Sequence, residues 1–198
     1  MKPLLLSVMV LLSGCALLSK GELGTRRFFS PALAPPAPRP SLPAAVELRL
    51  GRVSAGACGS ELMMYRASPF EVGFHDELRW TEKPEVYLRR ALSRVLFEGQ
   101  GLKSVVRGAA PVLEVELLEF EEVRAPTHVS RVTIAWSLGD ERVVWAQQTL
   151  SVERPITVSG VDGEAITLAI SGALQEAVET IGAQVSTEFA RRSAGASK

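Results

Sequence analysis

Residues 162–191, DGEAITLAISGALQEAVETIGAQVSTEFAR, decide how the rest of the chain must be arranged. Apolar side chains recur at Ile166, Ile170, Ala173, Leu174, Ala177, Val178, Ile181, Val185 and Phe189, the three- and four-residue spacing of one broad helix face. Asp162 stands where a side-chain oxygen can cap the first backbone N–H groups. Continuous to Arg191, such a helix is roughly 45 Å long at about 1.5 Å per residue. A stripe of that length needs a partner surface to be stable in water, so it reads as core. The last turn, near Phe189, is the part that could overhang.

The partner surface is spelled out upstream. Val46, Leu48 and Leu50 alternate with Glu47 and Arg49, as in a half-buried strand. Leu62–Tyr65 and Phe70–Phe74 read as a β-pair turned around Ser68-Pro69. Pro84 opens a shorter helix, with Leu88, Ala91, Leu92, Val95 and Leu96 inward and Gly99 and Gly101 at its end. In Val112–Val123 the phase changes: Leu113, Val115 and Leu117 share one parity, then Leu118 and Phe120 take the other. A β-bulge near Leu117-Leu118 would bring all five to the core, leaving Glu119, Glu121 and Glu122 as a solvated side. Val132, Ile134, Trp136 and Leu138 face inward from the next strand, and Gly139-Asp140 turns into Arg142–Val152. The expected fold is α+β: a mostly antiparallel sheet with two helices packed on one face.

Charges balance, 22 Lys and Arg against 22 Asp and Glu, and the basic residues form no stripe, so nothing here attracts nucleic acid. Proline recurs at Pro31, Pro35, Pro36, Pro38, Pro40 and Pro43, which makes an extended stretch ahead of the domain. It is either a spacer or, if Arg26-Arg27-Phe28-Phe29-Ser30 docks as an edge strand, a loop wrapping the surface.

The chain opens on Lys2, the apolar run Leu4–Leu12, then Ser13-Gly14-Cys15. Short greasy segments ending in small residues are secretory signals, and this one falls short of the roughly 20 residues that span a bilayer. The small-small-Cys ending resembles the lipobox of bacterial lipoproteins. That resemblance implies cleavage before Cys15, acylation of its thiol (palmitate among the chains) and anchoring at the periplasmic side of a membrane. Because Ala16 rather than Asp follows, the outer membrane is expected. Cys58 is then the second and unpaired cysteine, in Gly56-Ala57-Cys58-Gly59, read as a buried filler or inert thiol. The expected organisation is a signal peptide at 1–14, a lipidated N-terminus with possible edge strand and linker at 15–45, the α+β domain at 46–192, and a tail at 193–198.

His75 and His128 sit in no HExxH or CxxC context, and His128 reads as a surface residue. GxSxG, P-loop and GxGxxG motifs are lacking. His75-Asp76-Glu77-Leu78 copies a retention signal that acts only at a C-terminus. No enzyme activity, cofactor or metal is expected.

A set of motifs then points to a family. Arg79-Trp80 precedes Glu82-Lys83-Pro84; Tyr65-Arg66 lies on a strand; Gly51-Arg52-Val53 and Phe120-Glu121 lie on others; and Phe28-Phe29 follows the lipobox. Together they resemble the auxiliary lipoprotein component of ABC-type transporters, the family of the paraquat-inducible-operon lipoprotein. This chain departs from the pattern in its longer proline run and in Phe28-Phe29 where tyrosines are commoner. The resemblance implies a non-catalytic adaptor of an ABC permease and ATPase with a mammalian-cell-entry (MCE) domain protein, moving lipid between membranes. Arg66, Arg79 and Trp80 are candidate partner contacts under it, or structural residues; Trp80, ahead of a helix, suits core packing. The rival reading is a carrier or chaperone lipoprotein of outer-membrane assembly, holding phospholipid or another apolar ligand in its own pocket. Intact-mass measurement of exported protein should show Cys15 at the N-terminus with acyl mass added, and Cys15→Ser should abolish that addition.

Overall fold

The computed structural model describes residues 25–35, 46–158 and 160–196. Cys15, the signal segment and the later prolines of the linker lie outside the described residues. Strand β1 is Arg27–Phe29, β2 Glu47–Ala55, β3 Leu62–Ser68 and β4 Glu71–Trp80. Helix α1, Pro84–Ser93, runs on into a π-helical turn, Arg94–Gly99. Strands β5 (Lys103–Ser104), β6 (Val112–Val123), β7 (Val129–Gly139) and β8 (Val144–Pro155) precede helix α2, Gly163–Ala196.

The α+β architecture is as expected: one eight-stranded sheet with both helices on one face. The sheet is mixed, however. β3–β4, β6–β7 and β7–β8 are antiparallel, whereas β1–β4, β2–β5, β2–β6 and β3–β6 are parallel. Its organiser is β6. One edge of β6 pairs with β7 along its whole length. The other edge is shared: β2 takes Val112–Leu117, and β3 takes Glu121–Val123. β2 and β3 therefore run in the same direction, and the chain reaches β6 only after the α1 crossover, the connection that parallel strands require. A 3-10 turn, Ala57–Gly59, fills the gap between them. There the Leu117 carbonyl accepts from the Gly56 N–H (3.3 Å) and from the buried Cys58 thiol (3.3 Å). Burial pushes that thiol up to about 11, which keeps it protonated and unreactive at neutral pH.

All nine residues of the predicted α2 stripe are buried. Asp162 Oδ1 caps the helix, accepting from the Glu164 N–H at 2.9 Å. The helix runs 34 residues, about 51 Å. Its far end does not overhang: Phe189 packs edge-on to Trp145 of β8 at 5.7 Å, with Arg192 over the same indole at 4.2 Å. The π-helical turn lets α1 meet α2 closely. A Cβ on Gly182 would lie 2.5 Å from Val95 Cγ1, and next to this contact Ser186 Oγ donates to Gln100 Oε1 at 3.0 Å. Only glycine fits at 182 with the helices this close.

The edge strand read at Arg26–Ser30 is present, parallel to β4 (Arg27↔Leu78, Phe29↔Trp80). Phe29 rests against Gly163, the Ala32 N–H donates to Ser171 Oγ (3.1 Å), and Leu33 packs on the core. The first prolines therefore follow the domain surface.

The β6 bulge is also present, as a register slip between Leu117 and Glu119. Leu113, Val115, Leu117 and Phe120 are buried, but Leu118 is 40 % exposed. Leu118 is the extra residue at the slip, so it turns outward while its neighbours keep the core parity. Gly182→Val should cost about 1–3 kcal/mol of unfolding free energy. Combined with Val95→Ala it should cost less than the sum of the two single changes, a coupling that urea denaturation of all three variants will read.

Candidate functional site

The glutamates expected on a solvated face are the most deeply buried charges of the described structure: Glu121 is 0 % and Glu122 1 % exposed. The bulge sets which face each of them takes. Beyond Leu118, Phe120 and Glu122 share the helix-side parity, and Glu119 and Glu121 the opposite one. Buried carboxylates survive only when paired, and both are.

Glu121 sits in a row of charges across four strands. Arg66 of β3 grips it with Nε (2.7 Å) and Nη2 (3.2 Å). Arg131 of β7 lies 3.7 Å away on the other side and holds Glu153 of β8 at 2.8 Å. Glu119 approaches both arginines at 3.7 and 3.8 Å and accepts from the Thr133 hydroxyl. A two-pronged guanidinium is the donor best matched to a buried carboxylate.

Glu122 is held from the other face. Its Oε2 meets His75 Nε2 at 2.8 Å and Arg124 Nε at 3.2 Å, and its Oε1 meets His128 Nε2 at 2.7 Å. Burial alone would push this carboxyl up. The hydrogen bonds from His75 and His128 and the charge of Arg124 outweigh it and bring the group down to about 2. The Arg124 guanidinium also stacks 3.6 Å over the Tyr65 ring, with His75 edge-on to that ring at 5.2 Å. Tyr65 lies flat across Gly73 of β4, where a Cβ would come within 2.6 Å of the ring. His128 is thus tied into an ionic cluster, not a plain surface residue.

This cluster closes one end of the sheet, and its polar groups satisfy one another. Among the described residues, no group of three or more His, Cys, Asp or Glu is placed to hold a metal ion. A groove of about 350 Å³ on the sheet face away from the helices is lined by Arg52, Ser54, Glu114, Glu116, Ser137 and Gln147 among others. That lining suits a polar partner rather than an acyl chain.

Of the residues singled out in the sequence, Arg66 belongs to the Glu121 row. Arg79 turns back on its own strand: Nη1 donates to the His75 (2.6 Å) and Leu78 (3.0 Å) carbonyls and Nη2 to that of Asp76 (2.8 Å). Those carbonyls come from a second bulge, where the β3–β4 register jumps from Met64↔Phe74 to Leu62↔Arg79. Trp80 is buried, 5.2 Å from Phe120 and 6.2 Å from Tyr87. Cys15 lies outside the described residues. Sequence reading missed Glu121, Glu122, His75, His128 and Arg124 as a group. The available signal was that consecutive glutamates on a strand must point to opposite faces.

A family model described as ABC-type transport auxiliary lipoprotein component matches residues 29–182. No curated protein sequence matches the chain. Among solved structures, one from Xanthomonas campestris, of the domain-of-unknown-function family DUF330, is 18 % identical with a TM-score of 0.71, covering 84 % of this chain and 99 % of that one. A hypothetical protein of Chlamydia trachomatis is 12 % identical with a TM-score of 0.54, covering 72 % of this chain and 96 % of that one. These likenesses establish the shared fold. No helix among the described residues is long and apolar enough to cross a membrane.

Glu122 ionises more readily folded than unfolded, so it stabilises the fold above the ordinary carboxylate range near pH 4.5 and ceases to do so as pH falls toward 2. Glu122→Gln should lose on the order of 3 kcal/mol at pH 7. Its stability should also be flatter than the parent's between pH 4.5 and 2, as read by urea denaturation at stepped pH. Glu121→Ala, which leaves Arg66 only its longer carboxylate contact, with Glu119, should cost about 1–3 kcal/mol.

Proposed function

We infer its role from its family: the chain belongs to the ABC-type transport auxiliary lipoprotein component family, matched over residues 29–182. The reading is a Cys15-acylated adaptor at the periplasmic side of the outer membrane. It presents a rigid α+β body to an MCE-domain protein of an ABC-driven lipid transport system, with the ATPase supplying the energy elsewhere.

The observation that carries the adaptor reading over the carrier is how the space between sheet and helices is filled. Trp80, Phe120, Leu92, Leu96, Ile134 and Leu138 are fully or almost fully buried there, together with the whole α2 stripe. A carrier needs an apolar cavity between these layers; here the apolar side chains occupy that space themselves. The open groove is polar. Tethering through Cys15 raises the local concentration at a membrane-bound partner, so a modest protein–protein contact suffices.

Two measurements test it. Recovery of the membrane-anchored protein after mild crosslinking should bring down an MCE-domain protein with its permease or ATPase. Repeated recovery of the anchored protein with no MCE protein would overturn that partner. Solvent extraction of the purified protein should yield no stoichiometric lipid, whereas one bound lipid per chain would favour the carrier.

A further inference from the structure

The β3–β4 hairpin carries the most exposed aromatic residue of the described structure. Phe70, at the turn, is 99 % exposed, and Val72 and Phe74, at alternate positions of β4, are also exposed. The three therefore form an apolar ridge along one face of the hairpin, with its tip in solvent. Nothing in the fold requires it: Phe70 packs on no neighbour, and the turn is made by Ser68, whose Oγ accepts from the Phe70 N–H at 3.3 Å.

Topology indicates what the ridge meets. β1 runs parallel to β4, with Arg27 beside Leu78 and Phe29 beside Trp80. Followed backward from Arg27, the chain thus heads along β4 toward Glu71 and the hairpin tip. Thr25 lies ten positions after Cys15, a reach of at most about 35 Å. The described start of the chain, Thr25–Arg27, is thus directed toward the end of the sheet that carries Phe70. The opposite end, the β7–β8 turn at Gly139–Val144, points away from it. Arg124 stands at the same end as Phe70, its N–H bonded to the Arg66 carbonyl (2.9 Å) and its guanidinium partly exposed. An exposed apolar and aromatic tip suits the headgroup boundary of a membrane.

We propose that Phe70, Val72 and Phe74 form a second membrane contact, inserting the β3–β4 hairpin tip among phospholipid headgroups and fixing how the anchored domain stands on the bilayer. This rests on the Cys15 anchor of the preceding reading. Acyl chains on a terminus hold a protein to the bilayer but leave it free to turn, and a buried phenyl ring adds to the hold while removing rotational freedom.

The test uses the acylated full-length protein on vesicles of phosphatidylethanolamine and phosphatidylglycerol containing brominated lipid. Phe70→Trp and, at the far end, Val143→Trp each add one indole to an exposed site, read against the parent's own tryptophans. The expected result is a blue shift and loss of emission for the indole at position 70 and neither change at 143. Vesicle-bound, acylated protein in which position 70 is unquenched, or no more quenched than 143, would overturn the membrane contact and leave the anchor standing. A blue shift at position 70 that grows with protein concentration without vesicles would assign the ridge to a second copy of the chain instead. Protein that lacks the acyl mass and does not float with vesicles would remove the anchor, and this contact with it.

Discussion

The edge of β6 that faces β2 and β3 is the constraint from which the rest of the fold follows. A long strand in the middle of a sheet exposes two rows of backbone donors and acceptors, and buried groups of that kind must be paired. β7 satisfies one row. On the other, β2 ends at Ala55 and β3 begins at Leu62, so the row is completed by two strands with a plug between them. The plug brings Cys58 and Gly56 to the Leu117 carbonyl, next to the register slip that turns Leu118 outward. That slip sets which way every later residue of β6 points, and so which face each of Glu121 and Glu122 takes.

Two buried carboxylates are an expensive solution, and hydrophobic replacements of similar volume are often no less stable. Their pairing ties strands together on both faces: Arg66, Glu121, Arg131 and Glu153 join β3, β6, β7 and β8, while Glu122 joins β4 through His75 and the β6–β7 connection through Arg124 and His128. Ionic pairing of this kind is directional, whereas apolar packing alone would tolerate slips along β6. The hairpin that bears Phe70 is thereby fixed to the sheet by charge as well as by backbone bonds.

The chain belongs to the ABC-type transport auxiliary lipoprotein component family, and its body is rigid by construction. The filled interior, the paired charges and the N-terminal segment laid along α2 all favour a solid body over a container.

Periodicity by itself determined the helices, the core face of β7 and the bulge in β6, because each depends on residues within a few turns or steps of one another. The Asp162 cap and the Phe28-Phe29 edge strand were legible for the same reason. The mixed sheet, the burial of Glu121 and Glu122, the back-bonding of Arg79 and the closeness of Gly182 to Val95 were decided only by tertiary structure. Arg66 and Glu121 are 55 residues apart, as are 47 for His75 and Glu122. A local pattern weighs a glutamate by its average liking for water, and cannot register the distant arginine or histidine whose hydrogen bond reverses that preference.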